Sequence, residues 1–108
     1  MDSGYELSYQ YYVLNKLAGI SNHNDGHVGL GATLYLNKFW DPNWGGLFVW
    51  KDKNEKKEYK LNAICPKQNM LIINDEKEMH LVTPTAPTIP YIRITIQIWY
   101  GHPNASKV

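Results

Sequence analysis

The sequence predicts an all-β domain, a sandwich or jelly roll of about eight antiparallel strands. Helical periodicity is almost absent, β-branched and aromatic runs recur, and turn signals separate them at short intervals. The first run, 6–14 (ELSYQYYVL), is followed by 18–23, which ends at the turn Asn24-Asp25-Gly26. The run 28–37 (VGLGATLYLN) stops before Asp41-Pro42-Asn43 and Gly45-Gly46, and 46–51 (GLFVWK) gives way to a charged stretch from Lys51 to Lys57. Then come 57–63, a break at Pro66, 69–74 (NMLIIN), a break at Asn74-Asp75, and 79–83. A proline-bearing loop from Thr83 to Pro90 leads into the last run, 91–100 (YIRITIQIWY). Eight short antiparallel strands are the jelly-roll number.

Composition narrows the function classes. The chain has 108 residues, read as a single domain over 1–108 with no internal repeat, low-complexity tract or linker. Eleven basic and ten acidic residues leave a net charge of +1, which offers nothing to nucleic acid or to an anionic membrane. A single cysteine, Cys65, excludes an internal disulfide and reads as a small core or loop residue. The first residues lack a basic start followed by an apolar run, and no apolar stretch approaches the length of a membrane span. The expectation is a soluble protein in a reducing, cytoplasmic setting.

Candidate chemistry centres on His23, Asp25 and His80. Alternate side chains of a strand share a face, so His23 and Asp25 can converge on one ion from one strand end. Two imidazoles and a carboxylate on one face of an octahedron leave three positions open, the arrangement of non-haem Fe(II) oxygenases. His-x-Asp alone is a weak signal, and Asn22-His23-Asn24-Asp25-Gly26 also reads as an ordinary polar turn. His27, on the other side of the turn, and His102, beyond the last strand, read as surface residues. Weight comes from Arg93, thirteen positions after His80 in the strand that ends Ile98-Trp99-Tyr100.

With these residues in place, the chain resembles the catalytic core of the 2-oxoglutarate/Fe(II)-dependent oxygenases, in the prolyl 4-hydroxylase-like branch. The matching run is His23-x-Asp25, Leu34-Tyr35-Leu36-Asn37 with Trp40, and Gly45-Gly46-Leu47. It continues through Leu71-Ile72-Ile73 before His80, then Arg93-x-Thr95 and Trp99-Tyr100, covering about residues 18–101 in order. Two departures stand out: the His80-to-Arg93 interval is a few residues longer than usual, and the helices that precede the core in the family are missing. The resemblance implies a double-stranded β-helix (jelly roll, cupin-like), with His23, Asp25 and His80 holding iron. Arg93 would then hold the far carboxylate of 2-oxoglutarate, with Tyr35 and Thr95 adding hydrogen bonds. It also implies Fe(II), 2-oxoglutarate and O2 as cofactors and co-substrates, with ascorbate as a further candidate. The implied reaction hydroxylates an unactivated C–H bond, of a prolyl residue or a small amino acid, releasing succinate and CO2. The competing reading from another class is a non-catalytic cupin-like metal- or ligand-binding module, which would have no need of a buried carboxylate clamp.

Strand parity carries a second expectation. Arg93, Thr95, Gln97 and Trp99 share one face of the last strand, and Ile92, Ile94, Ile96 and Ile98 share the other. If Arg93 points inward, the isoleucines point outward, beside Leu30, Ala32, Leu34 and Leu36. Such an apolar sheet back exceeds what a monomer leaves wet. It calls for a homo-oligomer, or for a missing N-terminal segment that covers it. Trp40, Trp44 and Trp50 read as core or rim residues, with Trp44 and Trp50 as candidate substrate contacts at the site mouth. The charges from Lys53 to Lys60 read as a solvated hairpin.

Overall fold

A computed structural model describes residues 6–24, 30–75 and 78–101 of the chain. Among them are eight strands: β1 (Glu6–Leu14), β2 (Ile20–His23), β3 (Leu30–Tyr35), β4 (Phe48–Trp50), β5 (Asn62–Ile64), β6 (Leu71–Asn74), β7 (His80–Val82) and β8 (Arg93–Gly101). They form two four-stranded antiparallel sheets, ordered β1-β8-β3-β6 and β2-β7-β4-β5. This alternation of strands between two sheets is the jelly roll the sequence predicts. No helix among the described residues is long and apolar enough to cross a membrane.

The long strands coincide with the sequence reading, and the short ones are trimmed by turn chemistry. The run 57–63 is a strand only at its end, as β5. Ahead of it the chain turns instead: Lys60 N donates to Lys57 O at 3.2 Å, the Glu55 carboxylate accepts from Lys57 N at 3.1 Å, and Lys60 pairs with Glu55 at 3.6 Å. The charged segment is thus the exposed connection of the β4–β5 hairpin. The strand expected over 46–51 is regular only over Phe48–Trp50: Gly45 and Gly46 take positive φ (73° and 65°) and bend the chain, while Gly45 still bridges Thr85 and Gly46 N donates to Thr83 O at 3.1 Å. The long Thr83-to-Pro90 interval is tied down rather than loose. Thr85 exchanges backbone bonds with Ala18 and Leu17 at 3.0 Å each, and its hydroxyl donates to Asn15 O at 2.6 Å.

β8 is the central strand of the first sheet, and its parity sorts the molecule into inside and outside. Arg93 and Thr95 are buried, together with their β3 neighbours Thr33 and Tyr35. The opposite parity faces out. Ile94 and Tyr100 on β8 lie beside the exposed Leu7, Tyr9, Tyr11 and Val13 of β1, and beside Leu30, Leu71 and Ile73 on the other flank. Tyr9 and Tyr11 are 72% and 67% exposed. The enclosed apolar core is small by comparison: Tyr35, Trp40, Phe48, Val49 and Val82. The fold is partly inverted, with polar side chains in the barrel and apolar ones on the sheet back.

Asn37 fastens the end of β3 to the start of β8. Its amide nitrogen donates to Ile92 O at 2.8 Å, and its carbonyl accepts from Ile94 N at 2.7 Å. Arg93 lies between those two contacts, so Asn37 fixes the backbone that aims the guanidinium. Asn37→Ala is expected to lower unfolding stability by about 1–2 kcal/mol, the net worth of two partly exposed hydrogen bonds. Urea denaturation of the two proteins measures the difference.

Candidate active site

His23 ends β2 and His80 begins β7, and the two are directly opposed in that strand pair. Their rings meet edge to face with centroids 4.3 Å apart. Each Nδ1 lies on a main-chain carbonyl, His23 on Ser21 O at 2.7 Å and His80 on Glu78 O at 3.1 Å. A neutral imidazole that donates from Nδ1 carries its lone pair on Nε2, the tautomer that a metal ligand needs. His80 is further fixed by Phe48, stacked on it at 5.1 Å with planes 19° apart. His80 is 5% exposed and His23 half-buried, which suits a site closed on one side. No group of three or more His, Cys, Asp or Glu side chains suited to a metal forms among the described residues. Asp25, the third expected ligand, lies outside them, as do His27 and His102. The donor set that is described, two imidazoles in the same tautomer and in contact, fits one transition-metal ion.

Arg93 crosses the interior of the other sheet and is 2% exposed. Its Nε donates to Gly46 O at 2.9 Å, Nη2 reaches the Tyr35 hydroxyl at 3.4 Å, and its guanidinium carbon sits 5.1 Å from the Tyr35 ring centroid. Tyr35 and Thr95 are fully buried and paired across β3 and β8. Glycine is required at 46: a Cβ there would lie 2.8 Å from Arg93 Cδ and 3.1 Å from its Nε, and φ is +65°. The turn that presents Gly46 is itself held by the Trp40 indole, which donates to Gly45 O at 2.8 Å. Burial pulls the Arg93 pKa below its ordinary value, with Tyr35 opposing, while guanidinium basicity still keeps the group charged. Burial likewise pushes the Tyr35 phenol up, against the pull of Arg93. The outcome is a neutral hydroxyl beside a positive charge that has no carboxylate partner among the described residues. An arrangement of that kind receives an anion.

Of the expected site residues, His23 meets His80 in one sheet, and Arg93, Tyr35 and Thr95 come together in the other. Trp50 is opposite His80 across β4 and β7, as a rim residue would be. Trp44 is elsewhere, which corrects the expectation that it lines the mouth. It packs on Phe39, Trp40 and Tyr91, and its carbonyl accepts from Ala86, beyond the far end of β7 from His80. The Pro42–Trp44 turn, capped by Asp41, takes it there. Gln97, which the sequence reading placed on the face of Arg93, accepts a 2.8 Å hydrogen bond from Thr33, a residue that reading did not single out. Their shared parity with Tyr35 and Arg93 was the available signal.

The Tyr35 phenol is expected to ionise above the ordinary tyrosine value near 10. Because folding raises this pKa, the protonated phenol adds stability that is complete below about pH 10 and declines at higher pH. An ultraviolet tyrosinate titration of the parent protein minus that of Tyr35→Phe isolates the late ionisation. A difference spectrum that develops at the ordinary value would contradict the buried position.

Comparison with known proteins follows the geometry. Residues 7–101 match the family model described as "2OG-Fe(II) oxygenase superfamily". No curated protein sequence matches the chain significantly. Among solved structures, a Pseudomonas putida prolyl-4-hydroxylase superposes with a TM-score of 0.74 at 18% identity, over 98% of this chain and 57% of that one. An oxidoreductase of the 2OG-Fe(II) oxygenase family from Burkholderia pseudomallei gives 0.73 at 19% identity, over 94% and 47%. A prolyl 4-hydroxylase structure from Phytophthora capsici gives 0.65 at 18% identity, over 94% and 33%. At these identities the superpositions speak for the shared jelly roll, and this chain spans only about half or less of each relative. The family match runs from the first described strand to the last, so the chain belongs to the 2OG-Fe(II) oxygenase superfamily.

Proposed function

We propose that the chain is the catalytic core of a 2-oxoglutarate- and Fe(II)-dependent dioxygenase that hydroxylates an unactivated C–H bond. The observation that carries this reading is Arg93: a guanidinium 2% exposed, with Tyr35 and Thr95 around it and no carboxylate in reach among the described residues. A jelly roll that merely bound a metal or sugar would gain nothing from a desolvated cation at such a cost. A dicarboxylate co-substrate supplies the missing negative charge.

In this reading His23, Asp25 and His80 hold Fe(II), and Arg93, Tyr35 and Thr95 hold the carboxylate of 2-oxoglutarate remote from the metal. Once bound, the iron and its co-substrate supply O2 activation and delivery of a hydroxyl, with succinate and CO2 released. The protein supplies placement. Backbone carbonyls at Ser21 and Glu78 keep both imidazoles in the ligating tautomer. Gly46 O and the Tyr35 hydroxyl hold the guanidinium in one orientation before the ligand arrives. The neutral phenol would donate a hydrogen bond to the carboxylate without adding a like charge. An intact carboxylate at position 25 favours hydroxylation over halogenation, since halogenating relatives carry a small residue there.

Prolyl hydroxylases among the structural neighbours favour a prolyl residue in a peptide, or a small amino acid, as substrate. The reading extends to a cytoplasmic setting with ascorbate as a reductant. It also extends to cover for the apolar sheet back, by a second copy or by further polypeptide preceding the core. The back of β1, β8, β3 and β6 exposes Leu7, Tyr9, Tyr11, Val13, Leu30, Leu71, Ile73 and Ile94 side by side, a contiguous apolar face of the kind that marks an interaction surface.

Anaerobic addition of Fe(II) and 2-oxoglutarate is expected to produce a weak metal-to-ligand charge-transfer band, absent in His80→Ala. Arg93→Ala is expected to weaken 2-oxoglutarate binding by about 2–5 kcal/mol while sparing the metal, as loss of a desolvated charge pair does; an unchanged affinity removes Arg93 from this role. Succinate release screened against proline, prolyl peptides and small amino acids then identifies the substrate. Sedimentation velocity of this 12.5 kDa chain is expected to show self-association. A fully active monomer would refute it.

A further inference from the structure

Four strands end the two sheets, and three of them are protected against pairing with another chain. β6 and β2 have four residues each and β5 has three, and the pairing of β2 with β7 shifts register between Ile20 and His23. Shortness and bulges are what natural edge strands use against a further strand, together with proline and charge. β1 has none of these. It runs for nine residues, about 30 Å, in unbroken register with β8. Its edge away from β8 has no strand partner among the described residues. From Leu7 to Leu14 it carries neither a charge nor a proline. Its outward side chains Tyr9, Tyr11 and Val13 are exposed as well. Such an edge offers a row of backbone donors and acceptors to an incoming strand.

The charges that flank β1 point to a second copy of the same strand. Glu6 opens β1, and Lys16 follows in the turn two residues past its end. Both are exposed, and neither forms an ion pair among the described residues. Two antiparallel copies of one strand, related by a two-fold axis normal to the sheet, keep their faces matched only if the axis passes through a residue. With Tyr11 on the axis, residues 6 and 16 are equally far from it, so Glu6 of each copy meets Lys16 of the other. The same register sets Tyr11 against Tyr11 and Tyr9 against Val13 on the outer face, aromatic and aromatic–β-branched pairs that stabilise strand association. With Gln10 on the axis Glu6 faces Leu14, and with Tyr12 on it Lys16 faces Ser8, so both neighbouring registers leave the charges unmatched. We propose that the chain forms a two-fold dimer in which β1 pairs antiparallel with β1 of a second copy, centred on Tyr11. The two sheets then become one sheet of eight strands, and their apolar backs join into a single surface without either being covered. The inference deepens the self-association proposed above and rests on it, while standing apart from the iron chemistry.

Sedimentation equilibrium of the chain at tens of micromolar is expected to show a dimer. Tyr11→Lys sets two like charges on the axis and is expected to give a monomer. Tyr11 is exposed, so this variant keeps its fold, which far-ultraviolet circular dichroism verifies. Ile73→Lys, on the back of β6 at the opposite edge of the sheet, is expected to leave the dimer intact. Glu6→Lys and Lys16→Glu each replace two attractions with two repulsions and are expected to raise the dimer dissociation constant by about tenfold. The double variant, Glu6→Lys with Lys16→Glu, is expected to return it to the parent value. A dimer that survives Tyr11→Lys, one that Ile73→Lys breaks, or a double variant as weak as the single ones overturns the edge pairing. A monomeric parent overturns it together with the self-association proposed above. None of these outcomes bears on the iron site, which the charge-transfer band tests separately.

Discussion

The structure is organised around a positive charge kept out of water. Arg93 is fixed from three sides: Gly46 O on its Nε, the Tyr35 hydroxyl on its Nη2, and the Tyr35 ring beside its guanidinium carbon. Each of those contacts is supported in turn. The Trp40 indole holds the Gly45 carbonyl next to Gly46, Asn37 clamps the backbone on both sides of Arg93, and β3 pairs Tyr35 with Thr95. Residues scattered through the sequence motif thus answer to one requirement, that a guanidinium stand rigid in an apolar place. A cation so held costs folding energy unless a ligand compensates it.

The two sheets divide the labour. The sheet β2-β7-β4-β5 contributes the imidazoles, locked by their own main chain and by Phe48. The sheet β1-β8-β3-β6 contributes a column of polar side chains on its inner face: Arg93 and Thr95, then Gln97 with Thr33. A metal bound by one sheet and a dicarboxylate bound by the other would meet between them.

Much of this was legible from strand parity. Because the side-chain period of a strand is two, placing Arg93 inside placed Thr95 inside and the isoleucines outside at once. The structure sets β3 beside β8 with Tyr35 opposite Thr95, a register that parity alone does not fix. Short elements were less legible, because turn chemistry outweighed β propensity in them. The Glu55, Lys57 and Lys60 contacts convert most of 57–63 into turns. Trp44 was misplaced because a tryptophan beside a double glycine gives no hint that a capped turn will carry it to the opposite end of the barrel. Asp25 lies outside the described residues, so the third ligand rests on spacing and resemblance. Parity placed Gln97 with Arg93, but Thr33 on the neighbouring strand is compositionally ordinary until its hydrogen bond to Gln97 is seen.

The inverted interior links the protein's integrity to small molecules. Among the described residues Tyr35, Trp40, Phe48, Val49 and Val82 form the enclosed apolar core, while Arg93, His80, Thr95 and Asn74 occupy space that hydrophobic packing would normally fill. A ligand that pairs with the buried Arg93 guanidinium contributes directly to the free energy of the native state. Filling the barrel is therefore an act of folding as much as of preparation for turnover. In a cell, the lifetime of such a protein would rise and fall with the supply of whatever ligand fills that interior.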